Sequence, residues 1–401
     1  MATVKPFKAF RPTQNSVKDI ISVPYDVIDS EEARKLSKNK PDSFLHIIRP
    51  EIDLPENINI YSDQVYKKGK ENLKNLIQSS SFLFDDDNAL YLYKLTWNGR
   101  SQSGIFGCVS TKEYDEGVIL KHELTRPDKE DDRTKHILTQ QAHAEPVMMT
   151  FDDSEDISGK MSEIESTEPI YKVALDDVEH IIWKIEKTST FTDSFKSIKN
   201  LYIADGHHRC ASASRVAKLM NSQNPEHTGE EAYNFFPAVI FPMQQMEILA
   251  YNRIVLSVPA DFLELLESKF DVKKTEDPVP KNKGIVCIYL NNGWYTVSLP
   301  KSNTSDSASN LDVSRLQEHI LEPILNIKNQ RTDTNISFVG GIKGTKYLEN
   351  LVNTGKAEMA ISMYPTDISE LVAVSDADLL MPPKSTWFEP KLRSGFLVHT
   401  F

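Results

Sequence analysis

The chain has 401 residues, enough for two or three domains at roughly 150 residues each. With 46 Lys+Arg against 58 Asp+Glu, its net charge is −12, which excludes a protein that coats DNA or RNA through a general basic face. Three cysteines far apart (Cys108, Cys210 and Cys287) argue against a disulfide framework or a structural zinc site, and 39% hydrophobic residues suit an ordinary globular core. MATVKPFKAFRP holds no apolar run, and FFPAVIFPM (235–243) is about half a membrane span, so a cytoplasmic protein without a secretory signal is predicted.

In chain order, VPYDVI (23–28) reads as extended, Asp29-Ser30-Glu31-Glu32 as a helix start, and SFLHIIRP (43–50) as a strand stopped by proline. Apolar residues at helical spacing predict a helix over 61–77. ALYLYKLTW (89–97), Asn98-Gly99 and SQSGIFGCVST (101–111) predict a β-hairpin, because Asn-Gly favours the type I′ turn. GVIL (117–120) is a short strand, DDRTKHILTQQAH is helix-prone, and NLYIA (200–204) is a strand leading to a helix over 211–220. FFPAVIF and MEILAYNRIVL read as a strand pair and ADFLELLESKF as a helix. KGIVCIYL and WYTVSL flank Asn291-Asn292-Gly293 as a second hairpin. Residues 301–310 are a flexible polar loop, and ISELVAVSDADLLM is an amphipathic helix region. The fold class is α/β in the broad sense, α+β with mixed sheets. The parts are an α/β region at 1–111, a catalytic core at 112–255, and a further α/β region at 256–401.

The densest chemistry lies in NLYIADGHHRCASAS (200–214). A strand ending at Asp205-Gly206, with a helix opening just past His207-His208-Arg209, aims unpaired helix N–H groups at the turn, which suits a phosphate. Asp-Gly alone would be a helix cap, but five such residues in a row have little structural use. A second cluster runs from Lys121 to Arg133, with His122 and Glu123 at a strand end where a carboxylate serves as a general base. For Glu123 and Arg133 the residues alone leave catalysis and a solvated helix start equally open. A third, MPPKSTWFEPK (381–391), offers the Lys384 ammonium and the Ser385 and Thr386 hydroxyls, although on the residues alone a plain turn leading into the last strand, GFLVH, is the better reading. Pro24-Tyr25-Asp26, His46-x-x-Arg49 and Asn252-Arg253 are weaker candidates of the same kind. GGIKGTK (340–346) lacks phosphate-loop spacing and follows no convincing strand.

IADGHHR with an upstream His-Glu strand end resembles the ParB/sulfiredoxin-like superfamily, and within it the free L-serine kinases. The whole chain also looks like a long family of formerly unassigned function, with a PYDV-like opening, HExT…DR, ADGHHR and a PPKSTxFxPK-like segment. That resemblance implies a ParB-like core and Mg²⁺-dependent phosphorylation of L-serine to O-phospho-L-serine. Glu123 would be the base and Asp205 the second essential acid. Gly206, His207, His208 and Arg209 would form the phosphate turn. His122, Thr125, Arg133, Arg253, Lys384, Ser385 and Thr386 complete the binding candidates. Mg²⁺ would be held mainly by phosphates, with Asp205 as its one protein ligand candidate. Two departures stand out: the Glu123 to Asp205 gap is longer than in the compact kinases, and Cys210 replaces an aromatic or aliphatic residue. No purine-binding signature is visible, so pyrophosphate is favoured as donor over ADP or ATP. The alternative is a ParB-like nucleotide-binding regulatory or DNA-associated protein without kinase activity, against which the charge and the lack of a basic helix-turn-helix count. A sulfiredoxin-like reaction needs a cysteine before the turn, whereas Cys210 follows it.

Overall fold

Asn98 and Gly99 both adopt positive φ (48° and 76°), and the type I′ turn they form joins the antiparallel strands Leu90–Trp97 and Arg100–Ser110. A computed structural model describes residues 1–290, 293–302, 304 and 306–401. It divides into two compact units: one of residues 1–120, 125–246 and 390–401, the other of 121–124 and 247–389. The regions expected at 1–111 and 112–255 thus share most of one unit.

In the first unit the hairpin lies in a nine-stranded mixed sheet. Its path runs Ile119–Leu120, Leu201–Asp205, Val147–Phe151, Phe235–Pro242, Arg100–Ser110, Leu90–Trp97, Val178–Ile185 and Tyr171–Leu175, with Val4–Lys5 beside Arg100–Ser110. Its core gathers Leu92, Ile105, Phe151, Phe195, Ile203 and Ile240, all fully buried. The second unit holds an antiparallel six-stranded sheet in the order Val272–Thr275, Gly293–Ser298, Ile285–Leu290, Met359–Ser362, Tyr251–Val255, Ile336–Gly340. The architecture is α+β with mixed sheets, and no helix among the described residues is long and apolar enough to cross a membrane.

Helices appear where spacing and caps foretold them, at Asp63–Gln78, Pro127–Gln140, Phe262–Lys269 and Ile368–Asp376. The second hairpin's strands pair as expected, while its Asn291-Asn292 turn lies outside the described residues, as do Asn303 and Ser305 of the polar loop.

Four expectations need correction. SFLHIIRP is a short helix, Leu45–Ile48, running into the 3-10 turn Pro50–Asp53, because Phe44, Leu45, Ile47 and Ile48 are all buried and a helix bonds its own backbone. VPYDVI forms a bend rather than an extended piece, with the Tyr25 N–H donating to a Glu145 carboxylate oxygen (3.0 Å). Phe235–Pro242 and Tyr251–Val255 are not partners. The first is buried along its whole length between two strands of the large sheet, and the 3-10 turn Met243–Gln245 sends the chain into the other unit. GGIKGTK does follow a strand, Ile336–Gly340, and precedes the helix Thr345–Asn353, although its spacing is still not a phosphate loop.

Among the buried histidines of the first unit, burial holds His136, His143, His180 and His399 each below the ordinary imidazole range, His180 at about 3. The folded chain leaves them neutral where the unfolded chain takes up a proton near pH 6.5. Their contribution to stability is therefore complete above that pH and is lost as pH falls towards the folded pKa. Each removes up to about 1.4 kcal/mol per pH unit in that window. Urea unfolding at pH 7.5 and 5.0 should show a clear fall in midpoint; equal midpoints would contradict burial of neutral imidazoles.

Candidate active site

The strand Leu201–Asp205 ends where Gly206 turns the chain at φ 105°, and the helix His207–Gln223 begins at once. The helix opens at His207 rather than past Arg209, so Arg209 lies in its first turn and reaches back to Asp205. A Cβ on residue 206 would come within 3.0 Å of Arg209 Nε as well as needing a left-handed backbone, so glycine is required twice over.

Arg209 is buried and holds the site together. Its Nη2 donates to Asp205 Oδ2 at 2.8 Å, its Nη1 donates to the Pro146 carbonyl, and Asp26 Oδ2 lies at 3.9 Å. The other Asp205 oxygen accepts from Lys391 Nζ at 3.2 Å. Burial alone would raise the Asp205 pKa, but Lys391 and Arg209 outweigh it and keep the carboxylate well below its usual range. Glu145 is buried beneath, accepting from the Tyr25 N–H and Ser394 Oγ, with Arg133 Nη1 at 3.8 Å. There burial wins over Arg209 and Arg133, and the Glu145 pKa is raised. Arg133 lies over the Tyr25 ring at 4.0 Å and donates twice to Asp132, at 3.0 and 2.7 Å. A cavity of about 30 Å³, roughly the space of one water, lies among Arg133, His136, Gln140, Glu145 and Arg209.

His208 accepts the backbone N–H of Arg126 at Nε2 (2.9 Å), which caps the helix Pro127–Gln140 and leaves the neutral ring its proton on Nδ1. Thr125 donates to Glu130, Ser212 donates to the Glu130 carbonyl, and Arg215 pairs with Glu130 and Asp131, latching the two helices at their starts. Thr125 and His208 thus carry structural duties that sequence did not suggest. Burial pushes the Cys210 thiol far up, which removes it as a nucleophile.

The first unit therefore brings together Thr125, Arg133, Asp205, Gly206, His207, His208 and Arg209. His122, Glu123, Arg253, Lys384, Ser385 and Thr386 belong to the second unit. There buried His122 faces Thr386 Oγ1 at 3.3 Å, and its carbonyl accepts from Met381 N (2.8 Å). Ser385 is buried and donates to the Pro382 carbonyl. Asp26 belongs to Pro24-Tyr25-Asp26, one of the weaker candidates, and Lys391, not itself among the expected site residues, closes the MPPKSTWFEPK segment. Glu145 carried no signal beyond a lone acid before a proline.

Among the described residues no group of three or more His, Cys, Asp or Glu could hold a metal. Asp205, the one protein ligand candidate, already gives one oxygen to each of two cations.

A family model described as "Protein of unknown function (DUF1015)" matches residues 4–314. No curated protein matches the chain. Among solved structures, a free serine kinase in complex with AMP is 9% identical at a TM-score of 0.40, covering 73% of this chain and 91% of its own. SbnI from Staphylococcus aureus, with a C-terminal truncation, is 12% identical at 0.39, covering 73% and 87%. A conserved hypothetical protein from Pyrococcus furiosus is 12% identical at 0.37, covering 73% and 95%.

Proposed function

The chain belongs to the DUF1015 family, and we propose that it is a phosphotransferase that phosphorylates the hydroxyl of free L-serine with Mg²⁺. The observation that carries this reading is the strand–glycine–helix turn at 205–209, where Asp205 is held ionised between Arg209 and Lys391 beside His207 and His208. In phosphoryl transfer the protein mainly positions the partners and stabilises charge on the transferred group. The positive end of the helix dipole at the start of His207–Gln223 and the directed cations Arg209 and Lys391 supply that chemistry.

The charge balance supports the metal. Arg133, Arg209 and Lys391 are set against Asp26, Asp132, Glu145 and Asp205, so the cluster has no positive surplus. A diphosphate therefore arrives with a divalent cation that its own oxygens hold. Glu123 keeps the role of base that the resemblance to serine kinases implies.

For the donor, burial of Tyr233, with its hydroxyl accepting from Asn224 (3.0 Å) and His227 stacked beside its ring, supports pyrophosphate over a purine nucleotide, since the one Phe, Tyr or Trp of the loop 221–234 is then taken up. Purified protein given L-serine, Mg²⁺ and either pyrophosphate, ADP or ATP should form O-phosphoserine fastest with pyrophosphate. Activity confined to a nucleotide would replace the donor. No phosphoserine with any donor would end the kinase reading.

A further inference from the structure

We infer that the second unit holds a binding site for a compact oxyanion, a carboxylate or a phosphate, built on the guanidinium of Arg253 beneath the loop 382–386. Arg253 lies on the strand Tyr251–Val255, hydrogen-bonded on both sides within its sheet, and its side chain is fully buried. Among the described residues every other buried arginine has an acid: Arg133 has Asp132, Arg209 has Asp205, Arg315 has Asp312 and Arg393 has Asp176. Arg253 has none. Its Nη1 donates to the Tyr251 carbonyl, its Nη2 reaches the Pro383 carbonyl only at 3.5 Å, and its Nε has no partner. The Phe338 ring, 5.3 Å from the guanidinium carbon, adds a cation–π contact but no counter-charge.

Burial lowers the pKa to about 10, so the group still carries its charge at neutral pH. A buried, uncompensated cation is among the costliest arrangements a core can hold. A planar fork with an idle Nε–H is also what a two-oxygen anion fits. The loop that covers it is built rather than loose. Ser385 donates to Pro382 O at 2.7 Å, Thr366 donates to Ser385 O at 2.8 Å, and Lys384 adopts a left-handed φ of 60°. That conformation sets the Lys384 ammonium 5.5 Å from the Tyr251 ring, whose residue supplies the carbonyl on Arg253. The anion takes the place of the distant Pro383 carbonyl on the Arg253 fork. This site goes beyond the phosphotransferase reading and does not depend on it.

Hydrogen exchange followed by mass spectrometry on the full chain tests the site, comparing wild type with Arg253→Met in a buffer free of oxyanions. Inorganic phosphate and L-serine are the two probes. At a concentration about ten times its Kd, the fitting probe slows exchange in peptides over 381–389 about tenfold in wild type and not in the variant. Protection by phosphate alone assigns a phosphate, and protection by L-serine alone assigns a carboxylate. No protection with either probe, or equal protection in Arg253→Met, overturns the site. Peptides over 205–213 report separately on the other unit, so failure here and failure of the kinase reading are told apart. In the same anion-free buffer the variant should melt higher than wild type, since it removes an unpaired buried charge. A lower melting temperature means that the two carbonyls alone satisfy Arg253, and it overturns the inference too.

Discussion

Glu123→Gln should lower kcat for O-phosphoserine formation by on the order of 10²–10⁴ while leaving the unfolding midpoint unchanged. The backbone on either side of this residue is held: the His122 carbonyl accepts from Met381, and the Leu124 carbonyl accepts from Arg331 (3.4 Å). A carboxylate on such a fixed segment costs little to orient, so losing its basicity shows in kcat rather than in the fold. The amide keeps the shape and much of the hydrogen bonding but cannot take the serine proton. Single-turnover rates and a urea melt on the same preparation check it. Near-normal turnover would remove Glu123 from the mechanism.

Arg209→Met should cost about 3–5 kcal/mol of stability at pH 7.5, because it strips the buried cation from a group of acids rather than deleting an isolated pair. Asp205 keeps Lys391, but Glu145 retains only Arg133 at 3.8 Å and stays buried. The Glu145 pKa is raised even with Arg209 present, so its loss drives the carboxyl further towards protonation. The deficit therefore shrinks as pH falls from 7.5 to 5, where Glu145 takes up its proton. Denaturant unfolding at both pH values reads this directly. A deficit independent of pH would mean that packing, not charge, is what Arg209 supplies.

Sequence reading succeeded where the signal was local. Asn98-Gly99 dictates its turn by backbone preference, and Asp205-Gly206 marks a strand-to-helix junction that only a glycine turns. It failed where the deciding partner was remote. Residues 43–50 have no alternation to separate strand from helix, and their fate was set by burial on all sides against Ile20, Leu73 and Leu76. Phe235–Pro242 is apolar enough to pair with anything, and only the finished sheet shows which strands it meets. The site divides the same way. Asp205 to Arg209 were legible as a contiguous run, whereas Glu145 and Lys391 matter through contacts across 120 and 186 positions of chain.

Residues 390–401 give the first unit Lys391 for Asp205, Ser394 for Glu145, and the strand His399–Thr400 that pairs with Ala142–His143. All of them are made after the 143 residues (247–389) of the second unit. A ribosome therefore releases the whole of the large sheet long before the segment that completes the charged cluster of the same unit. Until then Asp205 lacks one of its two cations and Glu145 lacks one of its donors. The growing chain thus carries an unfinished charged cluster through the synthesis of residues 247–389, and Asp205 gains its second cation only once Lys391 has been made.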